Sequence, residues 1–388
     1  MNRLLVVSAL VMVAGVVATI LATVLRKLAR DRRERRAAAA QEEVRPAVFA
    51  FVASDGEEVD DLRRVLTTGS RRQQRRRRVA VEELLLGYGG KLRGEVVDAI
   101  RRFFVQEGFA AEARAQLRAR SPWDRAVAAQ ELGFVGDRAA VPGLVAALQD
   151  RDPAVRIVAA RALGQIGDRA AAHPLLVAAD GRRAVPYGAA SQALLRIGLP
   201  AVPAMEAALR HPSFRVRRLA VDVLGELGVT QVRDELVRIL RSDRDTIVRI
   251  RAAHALGRVG TAEVLAELYD SMHGENAELR QSIVRAVTDI GARSSLPVLR
   301  RALEDVDHPT ARLAARRMLE WEPEGVAILR AAAASGVGRS AVYALEALDE
   351  VEPVGDVLRA GVRSWDPVVV ARPVFPATGR TDTTRGPA

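Results

Sequence analysis

Six glycines at almost constant spacing constrain this chain more than any other feature. Gly136, Gly167, Gly198, Gly228, Gly260 and Gly291 follow one another at intervals of 31, 31, 30, 32 and 31 residues. Regularity at this period marks an array of repeated supersecondary units. Each glycine ends a phrase of one kind: ELGFVGD from Glu131, ALGQIGD from Ala162, ALLRIGL from Ala193, VLGELGV from Val223, ALGRVGT from Ala255 and AVTDIGA from Ala286. Four residues before the glycine stand Leu132, Leu163, Leu194, Leu224, Leu256 and Val287, and eight before it Ala128, Ala159, Ala190, Ala220, Ala252 and Ile283. This is a helical stripe in which the small alanine lets a neighbouring helix approach and the larger residues fill the space between layers. A closing glycine suits the left-handed conformation that ends a helix.

Fifteen residues before the glycine are Ser121, Asp152, Arg183, Ser213, Asp245 and Asn276, of which all but Arg183 can cap a helix. Stretches such as Ala139–Asp150 and Ser294–Asp305 supply a second amphipathic helix with proline near its start. Each unit thus reads as two antiparallel helices that cannot bury their apolar stripes alone and must stack. With 49% hydrophobic but only 4% aromatic residues, the chain lacks the Tyr, Phe and Trp expected of a β-rich core. The expected fold class is all-α: an α-solenoid of stacked helical hairpins, behind a single N-terminal transmembrane helix.

Residues 152–168, DPAVRIVAARALGQIGD, resemble the HEAT repeat in its short bacterial form, the variety also found in phycobilin lyases. The resemblance extends over residues 95–353 and implies a solenoid whose concave face binds other proteins. The family's ladder position, eleven before the glycine, holds Arg125, Arg156, Arg217, Arg249 and Arg280, with Tyr187 in the remaining unit. Stacked arginines paired with acidic groups of neighbouring turns would tie layers together, which is a structural role. Glu322 and Glu352 occupy or approach the next two glycine positions, as expected of degenerate capping units.

Leu4 to Leu25 is a run of 22 residues without a charge. As a helix it would cover roughly 33 Å, enough for the ~30 Å hydrocarbon core. Arg3 stands alone before it, whereas Arg26, Lys27, Arg30, Arg32, Arg33, Arg35 and Arg36 follow. That asymmetry predicts an uncleaved single-pass anchor in the cell membrane, with everything after it on the cytoplasmic side. The expected division is an anchor over 1–25, a basic juxtamembrane segment over 26–45, irregular helices over 46–94, repeats over 95–353 and a flexible Pro- and Thr-rich segment over 354–388.

The net charge of +11 is concentrated toward the start, because residues 1–78 carry +8 and the remainder +3. A solenoid that tracked nucleic acid would carry its basic excess on the repeats, so a nucleic-acid partner is disfavoured. The run RRQQRRRR contributes Arg71, Arg72, Arg75, Arg76, Arg77 and Arg78, candidates for contact with anionic lipid or an acidic partner.

Enzyme chemistry has little support. The chain has no Cys, and its five histidines, His173, His211, His254, His273 and His308, include no pair three or four residues apart. The segment Gly87 to Lys91 lacks the glycine and Ser/Thr of a phosphate loop. No catalytic residue, metal or cofactor is expected. The sequence therefore predicts a membrane-tethered protein–protein interaction scaffold or regulatory adaptor, whose partner is a protein, with another membrane protein favoured because tethering raises effective concentration on that surface. The competing readings are a chromophore-lyase-like enzyme or chaperone of the same repeat type, and a nucleic-acid-binding solenoid.

Overall fold

Capping chemistry and small-residue crossings build the repeated part of the molecule. The computed structural model describes residues 21, 23, 24, 27, 32, 34–89, 92–273, 276–336 and 338–350. The apolar run Leu4–Leu25 lies outside the described residues apart from Leu21, Thr23 and Val24, and residues 354–388 lie wholly outside them. Among the described residues there is no strand, and no helix is long and apolar enough to cross a membrane.

The first helices are α1 (residues 34–53), α2 (Val59–Thr67), α3 (Arg71–Gly89), α4 (Glu95–Gln106) and α5 (Phe109–Gln116). Helix α1 runs through Pro46, which cannot donate to the helix ladder. Burial of Val44, Val48 and Phe51 on either side of it outweighs that local cost. Helix α3 starts at Arg71, because Ser70, Gln73 and Gln74 close its start: Ser70 N donates to Gln73 Oε1 at 2.9 Å and Gln74 Nε2 to Thr67 O at 2.6 Å. Val81, Leu85, Ile100, Phe103, Phe104 and Phe109 join the α1 side chains in one core. Its rings pack in a chain, with Phe51–Phe103 at 5.4 Å and Phe104–Phe109 at 5.1 Å between centroids.

The repeats follow as pairs, a long first helix and a shorter second one. The pairs are α6 (Pro122–Val135) with α7 (Val141–Ala147), α8 (Pro153–Ile166) with α9 (Ala172–Ala178), α10 (Tyr187–Ile197) with α11 (Val202–Ala208), and α12 (Phe214–Glu226) with α13 (Arg233–Ser242). Then come α14 (Thr246–Val259) with α15 (Leu265–Ser271), α16 (Ala277–Ile290) with α17 (Leu296–Leu303), and finally α18 (His308–Met318), α19 (Glu324–Ser335) and α20 (Gly338–Asp349). A single 3₁₀ turn leads into each of α7, α9, α11, α13, α15 and α17. The chain divides into two compact units, residues 1–235 and 236–388.

The predicted caps form where the side chain is free to turn back. Asp152 accepts from Ala154 N at 2.8 Å, Asp245 from Ile247 N at 2.9 Å and Asn276 from Leu279 N at 2.8 Å. Ser213 holds N-cap backbone geometry, yet its side chain makes no cap bond and instead hydrogen-bonds Asp180. With no capping side chain at Arg183, α10 starts later, after Pro186. Five of the six repeat glycines have positive φ, from 66° to 74°. Gly260 differs, with φ −76°, and is required because a Cβ there would lie 2.3 Å from Leu256 O.

The alanines eight before the glycine are all buried, but the closest helix crossings lie elsewhere. A Cβ on Gly133 would lie 2.6 Å from Ala162 Cα, one on Gly164 2.6 Å from Ala193 Cα, and one on Gly257 2.8 Å from Ala286 Cα. Glycine three before the repeat end therefore meets alanine five before the next one. Backbone-close packing of α6 on α8, α8 on α10 and α14 on α16 rests on that pair.

Candidate functional site

Three groups of polar side chains stand out from this frame: the repeated arginines, the arginine run on α3, and a carboxyl pair where α3 meets the first repeat. The repeated arginines point back to the end of the preceding helix. Arg125 Nη1 donates to Ala119 O at 2.9 Å and Arg120 O at 3.1 Å, Arg156 Nη1 to Asp150 O at 2.9 Å and Arg151 O at 3.3 Å, and Arg217 Nη1 to His211 O and Pro212 O at 2.9 Å. Arg249 Nε reaches Leu240 O at 2.9 Å. Arg249 thus takes a carbonyl of the last turn of α13, whereas Arg125, Arg156 and Arg217 take carbonyls of the linker between one helix and the next.

A second contact appears where an aspartate stands 25 residues on. Arg125 forks onto Asp150 at 2.7 Å through both Nε and Nη2, and Arg280 onto Asp305 at 2.6 and 2.9 Å. The hydrogen bond from Arg125 holds the Asp150 carboxyl below the usual carboxylate range. Asp150 and Asp305 also accept the backbone N–H of Asp152 and Asp307 at 2.9 and 2.8 Å, which ties the arginine to the next helix cap. Tyr187, standing in for arginine, donates its hydroxyl to Asp222 instead, and the Arg218 guanidinium lies 4.7 Å over its ring.

Helical phase divides the arginine run. Arg77 and Arg78 are half-buried. Arg77 donates to Val65 O at 3.1 Å and Thr68 O at 2.7 Å and pairs with Glu43, while Arg78 donates to Glu107 O at 2.6 Å, pairs with Glu112 and covers the Phe109 ring at 3.7 Å. These two bind α1, α2, α4 and α5 to α3 and are not available to a membrane or partner. Arg71, Arg72, Arg75 and Arg76 are exposed. Of these, Arg72, Arg75 and Arg76 line a groove of about 440 Å³ together with Arg36, Ala37, Val79, Ala80 and Glu83.

Glu131 was not marked by the sequence reading, although a signal existed. It occupies the position five before the repeat glycine, where later repeats carry Ala162, Ala193, Val223, Ala255 and Ala286. In α6 this position faces α3, and Glu131 shares a hydrogen bond with Glu82. Burial pushes its carboxyl up to about 9, reinforced by the neighbouring charge of Glu82. Burial raises Glu82 as well, so the pair retains a proton at neutral pH.

The histidines are dispersed: His173, His254 and His308 lie in α9, α14 and α18, and His211 and His273 lie beyond helix ends. His211 Nδ1 accepts from Ser213 N at 3.1 Å, His273 stacks edge-on against Tyr269, and His308 contacts the Tyr343 hydroxyl. Among the described residues no group of three or more His, Asp or Glu is placed to hold a metal ion.

The HEAT repeats family model matches residues 110–195 and 201–282. Among solved structures the chain is similar to an engineered protein, 19% identical over 85% of this chain and 96% of that one, with a TM-score of 0.37. It is similar also to the complex of CpcE and CpcF of phycocyanin lyase from Nostoc sp. PCC7120, 25% identical over 60% and 89% of the two chains, TM-score 0.26. Human deoxyhypusine hydroxylase in complex with glycerol is 20% identical over 81% and 98%, TM-score 0.28. No curated protein matches the sequence.

Proposed function

We propose that this chain is a membrane-tethered protein–protein interaction scaffold or regulatory adaptor, holding its HEAT repeats on the cytoplasmic side of the cell membrane and having no enzymatic activity of its own. The observation that carries the reading is where the repeated chemistry goes. Arg125, Arg156, Arg217, Arg249 and Arg280 bind the linkers, a helix end and an aspartate of their own units, so the shared residues of the repeats serve architecture. The positions that differ from unit to unit are left for recognition, which is how repeat arrays present extended binding surfaces. Exposed apolar side chains occupy several of them, among them Trp123 at 73%, Leu199 at 66% and Val306 at 73% exposure. An open groove of about 490 Å³ beside α5 and α7, lined by Arg114, Leu117, Arg118, Pro142, Gly143 and Ala146, offers apolar and basic contacts to a partner protein.

The tether is supported by the uncharged run Leu4–Leu25 and its one-sided basic flank. In-cell crosslinking, detergent extraction and mass spectrometry test the whole reading by comparing the full chain with a variant lacking residues 1–30. The expected result is one membrane protein captured by the first and lost with the second. Recovery of the same soluble protein, or of nucleic acid, by both forms would retire the tethered adaptor.

A further inference from the structure

The exposed half of the arginine run belongs to a built groove. Arg72, Arg75 and Arg76 follow at i, i+3 and i+4 on α3, and Val79, Ala80 and Glu83 continue the same stripe. Arg36 and Ala37 of α1 complete the walls of the groove, whose volume is about 440 Å³, within the range of small-ligand sites. Among the described residues the guanidiniums of Arg36, Arg72, Arg75 and Arg76 have no hydrogen-bond or ion-pair partner. The one carboxylate, Glu83, accepts from Gln41 Nε2 at 2.8 Å. Four like charges are thus held together by a fold that Arg77 and Arg78 clamp from behind, against one lining carboxylate, and a bound anion would relieve their repulsion.

Guanidinium forks match the oxygens of a phosphate or a carboxylate, which accept their paired N–H groups. The floor narrows the choice further. Ala37, Ala80 and Val79, the last 47% exposed, put an apolar strip beside the charges, which suits a ligand with a phosphate next to hydrocarbon. Arg36 also follows Leu25, the end of the uncharged run, by only eleven residues. We propose that this groove binds the phosphate headgroup of an anionic lipid. The choice of a lipid rests on the tethered reading above, whereas the phosphate chemistry rests on the groove alone.

The test uses the full chain in neutral detergent micelles, titrated calorimetrically with short-chain phosphatidylglycerol and, separately, short-chain phosphatidylcholine, inorganic phosphate and a DNA oligonucleotide. The expected result is phosphatidylglycerol binding about tenfold or more tighter than phosphatidylcholine. The variant R36Q/R72Q/R75Q/R76Q loses about tenfold or more in that affinity, and the corresponding four-lysine variant recovers part of it. Neutralising Arg120, Arg151, Arg161 and Arg169, exposed arginines that line neither this groove nor the one beside α5 and α7, leaves binding within about twofold. Undiminished binding by the glutamine variant, or an equal loss in the control variant, overturns the site. Inorganic phosphate or DNA that binds as tightly as the lipid and displaces it overturns the lipid assignment. Alkaline extraction of membranes containing the full chain checks the tether independently, so lipid binding without membrane retention would retire the tether and leave the groove standing.

Discussion

The helices before the first repeat and the repeats themselves solve the same packing problem by opposite means. In residues 34–109 the core is bulky and singular, with Phe51, Phe103, Phe104 and Phe109 in contact and no element resembling another. In the repeats α6 meets α8, α8 meets α10 and α14 meets α16 through glycine and alanine, with leucines and valines filling the flanks. Large rings define one arrangement because few others accommodate them. Small crossings define a translation that can be used again, since each new layer offers the next the same surface. Glu131 sits at the seam: it occupies a repeat position but faces the irregular helices, and it places a titratable carboxyl where its counterparts are alanine or valine.

The contrast can be broken most severely at a ring. Phe104, fully buried, should cost about 3–5 kcal/mol as Phe104→Ala in urea-induced unfolding, with fluorescence at Trp123 reporting the adjoining repeat. A loss below about 1 kcal/mol would mean the aromatic core is dispensable.

At a small crossing the sign reverses, because adding atoms is what harms. Gly164→Ala forces a Cβ against Ala193 Cα and should cost about 1–3 kcal/mol. Gly188→Ala, with open space at its Cβ, should instead gain about 0.5 kcal/mol from helix propensity. Equal effects at the two sites would deny that close approach, rather than propensity, fixes the layer spacing.

The repeated arginines sharpen the comparison through coupling. A double-mutant cycle on the shielded pair Arg125–Asp150, 16% and 12% exposed, should give about 1–3 kcal/mol. The same cycle on Arg210–Glu235, where the arginine is 76% exposed, should give under about 1 kcal/mol. Because the native Asp150 carboxyl titrates below its unfolded value, its contribution is present above the unfolded pKa and fades as pH falls through the native one.

At the seam the pH dependence runs the other way. Glu131 titrates near 9 in the native state, far above an unfolded carboxylate, so its protonated form favours folding fully only below the unfolded pKa. Stability is lost as pH rises from the unfolded value toward 9. Glu131→Gln removes the titration and should stabilise by about 1–2 kcal/mol at pH 7, with no gain near pH 4. Thermal melts across that range check it, and a pH-independent difference would show that the carboxyl is not the cause.

Legibility in the sequence followed repetition. The period placed every first helix from α6 to α16, and Ser213 shows the limit of such reading: the cap residue is present, but Asp180, distant in sequence, takes its hydroxyl. Arg77 and Arg78 were indistinguishable from their neighbours as letters in a run. Their separation depends on which face of α3 is covered by Glu43, Glu107, Glu112 and Phe109. Helix α5 precedes the first recurring phrase, so no repetition marks its eight residues.

The sequence by itself determined the helical class, the repeat unit, the terminal glycines and the caps at Asp152, Asp245 and Asn276, since each is a short-range preference. It determined likewise that a charged segment follows an uncharged one. Only the tertiary structure decided that Gly133, Gly164 and Gly257 make the closest crossings, that Glu131 shares a proton with Glu82, and that four arginines from two helices, not six from one, share a groove. Those outcomes depend on which surfaces meet, and a single helix carries no record of what its neighbour will place against it.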